Sequence, residues 1–384
     1  MSPWYTEWGE VMLKTAIPLG SIFGIEIKLH VSWFVVFVLV TWSLAAYYFP
    51  ALYPAWGSLN HWLVGIATSI LFFVSVLAHE LAHSLVAKSN NIPVQAITLF
   101  IFGGVSQISK DPDKPEVEFK MALAGPATSL LIGGLFWILW FATRSGAGPI
   151  VGLAFWLGWI NVALAAFNLI PGFPLDGGRV LRSILWWRSK DLKKATWIAS
   201  NIGRGFGYLF MLGGGVLFFM GYWVNGIWFA FIGWFLLNAA AGSYRQVALQ
   251  QLLRGHTVKE IMTRDCAIIS PTLTVEQLVN EHILMSGRRC VTVEDNGHIL
   301  GLVTTHNVKQ VPRDQWPFTM VRDIVIPLKE LKWVRPDDKI IDVLQLLNVE
   351  GVNQLPVLEN GQMVGIIARD TLLGFIQTKT ELGM

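Results

Sequence analysis

Six apolar runs interrupt the first 243 residues, each close to the roughly 20 residues that a helix needs to cross a bilayer. They lie near 31–49, 62–87, 119–142, 150–170, 205–221 and 226–243. Between the second and third, "VQAITLFIFGGVSQI" at 94–108 is too short and too β-branched for a seventh span. Its partial alternation and the Gly103–Gly104 pair predict a short hairpin or sheet near the membrane surface. From about 254 the pattern becomes that of a soluble α/β domain, and it repeats. Pro271 answers to Pro336, Gly287 to Gly351, Gly297 to Gly361 and Gly301 to Gly365. Each repeat reads as strand, helix, strand, Asn-Gly hairpin, strand and helix. The chain thus divides into a six-span domain over 1–245, a linker over 246–257 and a repeat domain over 258–384, with repeats near 258–312 and 321–380. The expected fold is an α-helical membrane protein with a small re-entrant β segment and a soluble α/β domain behind it.

Composition supports the spans. Hydrophobic residues make up 53% of the 384 and charged residues 14%, against about 25% charged in a typical soluble domain. Many of the 18 tryptophans stand near the ends of apolar runs, as interfacial anchors do. A net charge of +3 is too small to suggest a nucleic-acid partner. The two cysteines, Cys266 and Cys290, make no disulfide framework, and reduced thiols in a cytosolic domain are expected. The first 28 residues carry no apolar segment with a small-residue cleavage site, so the first run is expected to stay as an anchor. Loop charge then sets orientation. Loops 50–61 and 222–225 hold no Lys or Arg, and 143–149 holds only Arg144. The alternate loops are basic: Lys88, Lys110, Lys114 and Lys120 in one, and Arg179, Arg182, Arg188, Lys190, Lys193, Lys194 and Arg204 in the other. The positive-inside rule puts these, both termini and the repeat domain in the cytoplasm, with the spans in the inner (plasma) membrane.

Chemistry enters with "FFVSVLAHELAHSLVAK" at 72–88, where His79, Glu80 and His83 sit inside an apolar run. An ionisable side chain at bilayer depth costs at least ~2.5 kcal/mol on insertion scales, so these three need a reason. His79 and His83 are four apart and share a helix face. His-Glu-x-x-His is the zincin spacing, in which two nitrogens reach one metal and the Glu stands beside its water. The other reading is two histidines hydrogen-bonding between helices with Glu80 as their partner. Zinc needs a third protein ligand, and Asp176 stands out in "NLIPGFPLDGGRVL". Pro171, Pro174, Gly177 and Gly178 break the helix there and let the chain turn inward. His79, nine residues from Lys88, is about 13 Å below the cytoplasmic surface at the helical rise, and Asp176 enters from that side. The loop also reads as an ordinary helix stop followed by a capped amphipathic helix.

"AHELAH", "AGPATSL" and "NLIPGFPLDGGRVL", in this order and spacing, resemble the site-2 protease family of intramembrane zinc metalloproteases over roughly 18–243. The repeats resemble a tandem pair of CBS domains over about a third of the chain, as in the branch of that family with C-terminal CBS domains and no PDZ domain. The resemblance implies a metalloprotease core in which His79, His83 and Asp176 bind one zinc per chain and Glu80 is general acid/base. It implies that Asn168 stabilises the oxyanion; binding a neighbouring helix is its other reading. Gly103 and Gly104 match a Gly-Gly turn that holds substrate, and Gly125–Pro126 match a Gly-Pro pair that close helix packing explains equally well. His30 often recurs in the family, and an interfacial hydrogen bond is expected of it. The implied activity is regulated intramembrane proteolysis of transmembrane protein substrates in the lipid bilayer. The substrate must be unwound, because an intact helix hides its peptide bonds. It would add as a strand to 94–108, which otherwise is a structural hairpin.

CBS pairs commonly bind adenine nucleotides, with a Gly-x-x-Ser/Thr-x-x-Asp ending. "GLVTTHNV" keeps Thr304 but has His306 near the Asp position, and "GIIARDTL" keeps Asp370 but has Ala368 for the hydroxyl. ATP or another adenine nucleotide at Thr304 and Asp370 is therefore one expectation, and a packing module that forms a homodimer is the other. A transporter or channel gated by its CBS pair explains the spans and repeats, but not His-Glu-x-x-His with Leu-Asp-Gly. An inactive scaffold is not favoured either, since no ligand or base is missing.

Overall fold

A computed structural model describes the chain except residues 1–15, 102, 109–111, 147, 265–266, 286–289, 297, 361 and 383–384. Cys266, Lys110, Gly287, Gly297 and Gly361 lie outside the described residues, as does the Cys290 side chain, so the thiol expectation falls there too. The chain forms two compact units, one ending at Arg245 and one starting at Gln246.

In the first unit, β1 (Ala16–Ile22) and β2 (Ile25–His30) form a hairpin before the first span. Its two turn residues, Phe23 and Gly24, both have positive φ, 53° and 72°, as a tight two-residue hairpin requires. Helix α1 (Val31–Leu52) follows, then α2 (Ser58–Ser89). The hairpin β3 (Val94–Phe100) and β4 (Gly103–Ile108) comes next, then α3 (Pro115–Thr143) and α4 (Pro149–Asn168). The short α5 (Asp176–Ser189) leads to α6 (Leu192–Phe219) and α7 (Trp223–Leu253). Among the described residues, six of these helices are long and apolar enough to cross a membrane; α5 is not one of them.

The hairpin expected at 94–108 is present but belongs to a larger sheet, ordered β1-β2-β3-β4, with β2 parallel to β3 from Glu26–Ala96 to Leu29–Leu99. Ile25, Ile27 and Leu29 of β2 point inward and alternate with Glu26 and Lys28. Ile25, Ile27 and Ile97 pack against Leu77 and Leu81, so the sheet leans on the turns of α2 that flank His79 and Glu80. His30 caps α1: its Nδ1 accepts from the Ser32 N–H at 3.1 Å.

Two spans outrun their apolar runs. Helix α6 starts at Leu192 rather than 205, because Ala195, Ala199, Ser200 and Gly203 give its polar first half a buried small-residue face. Helix α7 continues to Leu253, so residues 246–253 of the expected linker are helical. The two helices meet through glycines. A Cβ on Gly214 would lie 2.5 Å from the Ala230 nitrogen and 2.6 Å from the Gly226 oxygen, the close backbone approach that holds helices together where lipid offers no hydrophobic drive.

The second unit holds the two repeats. The strands β5 (Ile268–Ile269), β6 (Cys290–Asp295), β7 (His298–Thr304) and β8 (Ile326–Pro327) form one sheet, and β9 (Gln354–Glu359) with β10 (Gln362–Ala368) forms the other. Asn296 and Asn360, at φ 50° and 52°, open the two expected hairpins. Strand β8 comes from the second repeat yet pairs with Gly301–Leu302 of the first. Reciprocally, Thr263 of the first repeat bridges to Ile366 of the second. Each repeat therefore lends a segment to its neighbour. The matched Gly301 and Gly365 sit where that segment crosses: a Cβ on Gly301 would fall on the Ile326 carbonyl, and one on Gly365 would lie 2.9 Å from the Thr263 oxygen.

Candidate metal centre

Helix α2 turns His79 and His83 to one side, with ring centroids 4.9 Å apart. Asp176, the first residue of α5, meets them. Its Oδ2 lies 3.1 Å from His79 Nε2 and 3.2 Å from His83 Nε2. One donor atom from each of the three residues falls within 4.8 Å of the others. Both histidines are buried, at 4% and 5% exposure.

The loop before Asp176 is folded tightly. A Cβ on Gly177 would collide with the carbonyls of Leu169 and Ile170, and one on Gly178 with the Gly172–Phe173 peptide. The Phe173 N–H donates to the Ala199 carbonyl of α6 at 3.2 Å, which pins the turn from the other side. Helix α5 is then braced against α3. Arg182, at 6% exposure, donates from Nε to Oε1 of the fully buried Glu118 at 2.6 Å, and its Nη2 reaches the same oxygen. Its guanidinium lies 5.0 Å from the Phe173 ring centroid. Arg182, counted from sequence only as a loop charge, is therefore a buried brace.

Groups on α3 orient the imidazoles. His83 Nδ1 donates to the Met121 carbonyl at 2.6 Å. That carbonyl can only accept, so Nδ1 carries a proton, and in the neutral imidazole the Nε2 lone pair is directed at Asp176. His79 Nδ1 lies 2.9 Å from the buried Ser129 hydroxyl. Gly125, one helical turn before Ser129, leaves room for both rings: a Cβ there would overlap His83 Nε2 and lie 2.5 Å from His79 Nε2. Gly125 thus serves more than helix packing.

An imidazole lone pair facing a carboxylate oxygen is repulsive unless a cation or an added proton lies between them. Two nitrogens and one carboxylate oxygen, with the far side of each imidazole already hydrogen-bonded, make a donor set that suits zinc. The residues present fit that metal.

Glu80 is half-buried beside this cluster, and its Oε2 accepts from the Ser106 hydroxyl of β4 at 3.1 Å. Ser84 in turn donates to Ser106 at 3.0 Å. Gly104 makes room for the carboxylate, since a Cβ on it would run into Glu80 Cγ. Gly103 has φ 125° at the head of β4. Strand β4 is an edge of its sheet, paired only with β3 among the described residues. Asn168 is the last residue of α4 and is half-buried. Sequence reasoning missed Ser84, Ser106 and the Met121 carbonyl. Ser129 did carry a signal, standing four residues after Gly125 on the same helix face.

In the repeats, the Thr304 hydroxyl is used locally. It caps the helix Thr305–Lys309, accepting from the His306 and Asn307 N–H groups and donating to Asn307 Oδ1 at 2.6 Å. Asp370 is exposed in the first turn of Arg369–Glu381 and accepts from the Thr371 N–H at 2.8 Å. Neither lines the cavity of about 300 Å³ between Val279, Ile283, Val308 and Trp316.

The sequence matches the family model of peptidase family M50 over residues 67–146 and 142–213, and that of the CBS domain over 258–313 and 321–378. A putative zinc metalloprotease of Synechocystis is 34% identical over 377 residues, covering 96% of this chain and 98% of that one. A putative zinc metalloprotease of Mycobacterium tuberculosis is 34% identical over 92% of this chain and 91% of its own length. Among solved structures, the site-2 protease from Methanocaldococcus jannaschii matches at 32% identity and a TM-score of 0.42, over 60% of this chain and 95% of that one.

Proposed function

The chain belongs to peptidase family M50 and carries a pair of CBS domains behind a site-2 type metalloprotease core; from that premise we propose that it cuts membrane-protein substrates inside the bilayer with one zinc held by His79, His83 and Asp176. The observation that carries this is the convergence of two imidazole nitrogens and one carboxylate oxygen at the buried end of a membrane helix. Zinc bound there supplies a Lewis acid for the scissile carbonyl and lowers the pKa of water towards ~7. Glu80 takes a proton from the attacking water and hands it to the leaving amine. Ser106 holds one carboxylate oxygen of Glu80, leaving the other for that transfer. The Met121 carbonyl and Ser129 keep the Nε2 lone pairs turned inward. Asn168, eight residues before Asp176, is assigned to the oxyanion.

The substrate is a transmembrane segment that has unwound. Its backbone pairs with the open edge of β4, and Gly103 and Gly104 let it approach Glu80. The sheet is the re-entrant element, and the basic loops put the termini and the CBS pair on the cytoplasmic side of the inner membrane. The CBS pair regulates access as a homodimer, with adenine nucleotide held at Asp370.

The test is cleavage of a single-span substrate by purified protein, wild type against Glu80→Gln, with zinc content measured and with and without ATP. Loss of a general acid/base costs about 10²- to 10⁴-fold, so cleavage falls by that much in the variant while one zinc per chain remains. A wild-type chain that binds no zinc overturns the reading.

A further inference from the structure

At the basic ends of α6 and α7 lies a cavity of about 200 Å³, lined by Trp197, Ser200, Asn201, Arg204, Tyr244 and Arg245. Three observations set it apart from an ordinary groove. First, Arg204 and Arg245 both line it, and neither forms an ion pair or hydrogen bond with a described residue. Both arginines are exposed, and as lining of one cavity their unpaired guanidiniums offer two charged donor groups to an anion that enters it. Second, Ser200 is 3% exposed and its hydroxyl has no hydrogen-bond partner among the described residues. A buried hydroxyl left unsatisfied is costly, and Ser200 is among the residues that line the same cavity as the arginines. Third, Arg204 immediately precedes the apolar run 205–221 and Arg245 stands two residues past the run 226–243. In an antiparallel helix pair both residues are therefore at the level where hydrocarbon gives way to headgroups. Trp197, 54% exposed, adds an aromatic ring about two helical turns further out on α6, on the headgroup side.

We propose that this cavity binds the phosphate group of an anionic membrane lipid. The two guanidiniums clamp the phosphate oxygens, Ser200 and Asn201 donate from α6, and the Tyr244 hydroxyl donates from α7. The volume is below the ~300–1,000 Å³ of sites that enclose a whole drug-sized ligand, so it fits a headgroup and leaves the acyl chains outside along the helices. The site is separate from the metal centre and does not depend on the proposed reaction. It does touch the same machinery, since Gly203 of α6 packs directly on Phe173 in the turn that leads to Asp176.

Full-length protein in a neutral detergent is titrated with dioctanoyl phosphatidylglycerol, with dioctanoylglycerol as the phosphate-free control, and with inorganic phosphate. Binding is read by native mass spectrometry. One phosphatidylglycerol per chain is expected, with dioctanoylglycerol not retained. Arg204→Ala/Arg245→Ala should weaken binding at least about tenfold, as loss of charge-assisted hydrogen bonds implies, and Arg204→Lys/Arg245→Lys should recover part of it. Ser200→Ala removes only the orphan hydroxyl. It should fold normally and bind the lipid more weakly, which keeps the test open if the arginine variants misfold. Inorganic phosphate retained by wild type, lost in the variants and competing with the lipid would support the phosphate site but make a soluble anion its source. Equal lipid retention by wild type, Ser200→Ala and a folded arginine variant overturns the proposal, as does equal retention of dioctanoylglycerol.

Discussion

Gly125 shows how much one missing methyl group decides. Both imidazoles occupy the space a Cβ would fill, while Gly134, on the same helix, has nothing within 4 Å of that position. Gly125→Ala should therefore push His79 and His83 apart, at the ~1–3 kcal/mol cost of overpacking, and drop zinc well below one per chain. Gly134→Ala should bind zinc as wild type does and be slightly more stable, since glycine costs a helix interior roughly 0.5–1 kcal/mol against alanine. Elemental analysis of the two purified variants checks the contrast; equal zinc in both would remove Gly125 from the site. His79, Glu80, His83 and Asp176 were legible in sequence because their chemistry demands fixed residue types at a fixed spacing or beside a turn. The groups that orient them were not, for Ser106 and the Met121 carbonyl arrive on other elements and a carbonyl has no residue type at all.

At the scale of elements, the Glu118–Arg182 pair holds the helix that carries Asp176 against the helix that orients the histidines. Glu118 Oε2 is buried without a partner, so the carboxylate depends on this one arginine, with Arg179 no nearer than 3.9 Å. Arg182→Met should destabilise the core by about 3–5 kcal/mol, because it strands a buried charge. Adding Glu118→Gln should return most of that loss, and a double-mutant cycle on thermal unfolding in detergent measures it. Additive effects would mean that the two do not act as a pair. A smaller electrostatic joint opens the second unit. The His256 imidazole, and then the Thr257 hydroxyl and N–H, hold the exposed Glu260 carboxyl below its usual range. A carboxyl depressed in the folded state stabilises above its unfolded value and loses that contribution as pH falls through the folded one. Hydrogen exchange at Val258–Ile261, corrected for intrinsic rate, should thus be more protected in wild type than in Glu260→Gln above the ordinary glutamate value of about 4.3, and that advantage should fade as pH falls below it. The hairpin at 94–108 was read from its own alternation, whereas β1–β2 was passed over although Ile25, Ile27 and Leu29 alternate clearly. Pro18, two glycines and the neighbouring span hid a strand pair whose register is set by β3, some 70 residues away.

For the whole molecule, the exchange of segments between the repeats has a consequence that similarity of the halves does not. The period of the second unit told that two alike pieces follow each other. It did not tell that Ile326–Pro327 crosses to the first repeat and Thr263 to the second, since like sequences are compatible with two independent halves. Two cores form, one around Val275, Leu278 and Val293 that takes in Val321 of the second repeat, and one around Val343, Leu347 and Leu355 that takes in Val258 and Ile261 of the first. Each core therefore already depends on residues of both repeats. The crossing segments join them, so a break at one crossing should be felt in both. Gly301→Ala puts a methyl group on the Ile326 carbonyl and expels the second repeat's segment from the first repeat's sheet. Pulsed proteolysis of the full chain should then show 258–313 and 321–378 becoming cleavable together, at one lowered denaturant concentration, while the six-helix unit stays intact. Loss of the first repeat with the second still resistant would show that the repeats are joined in sequence only.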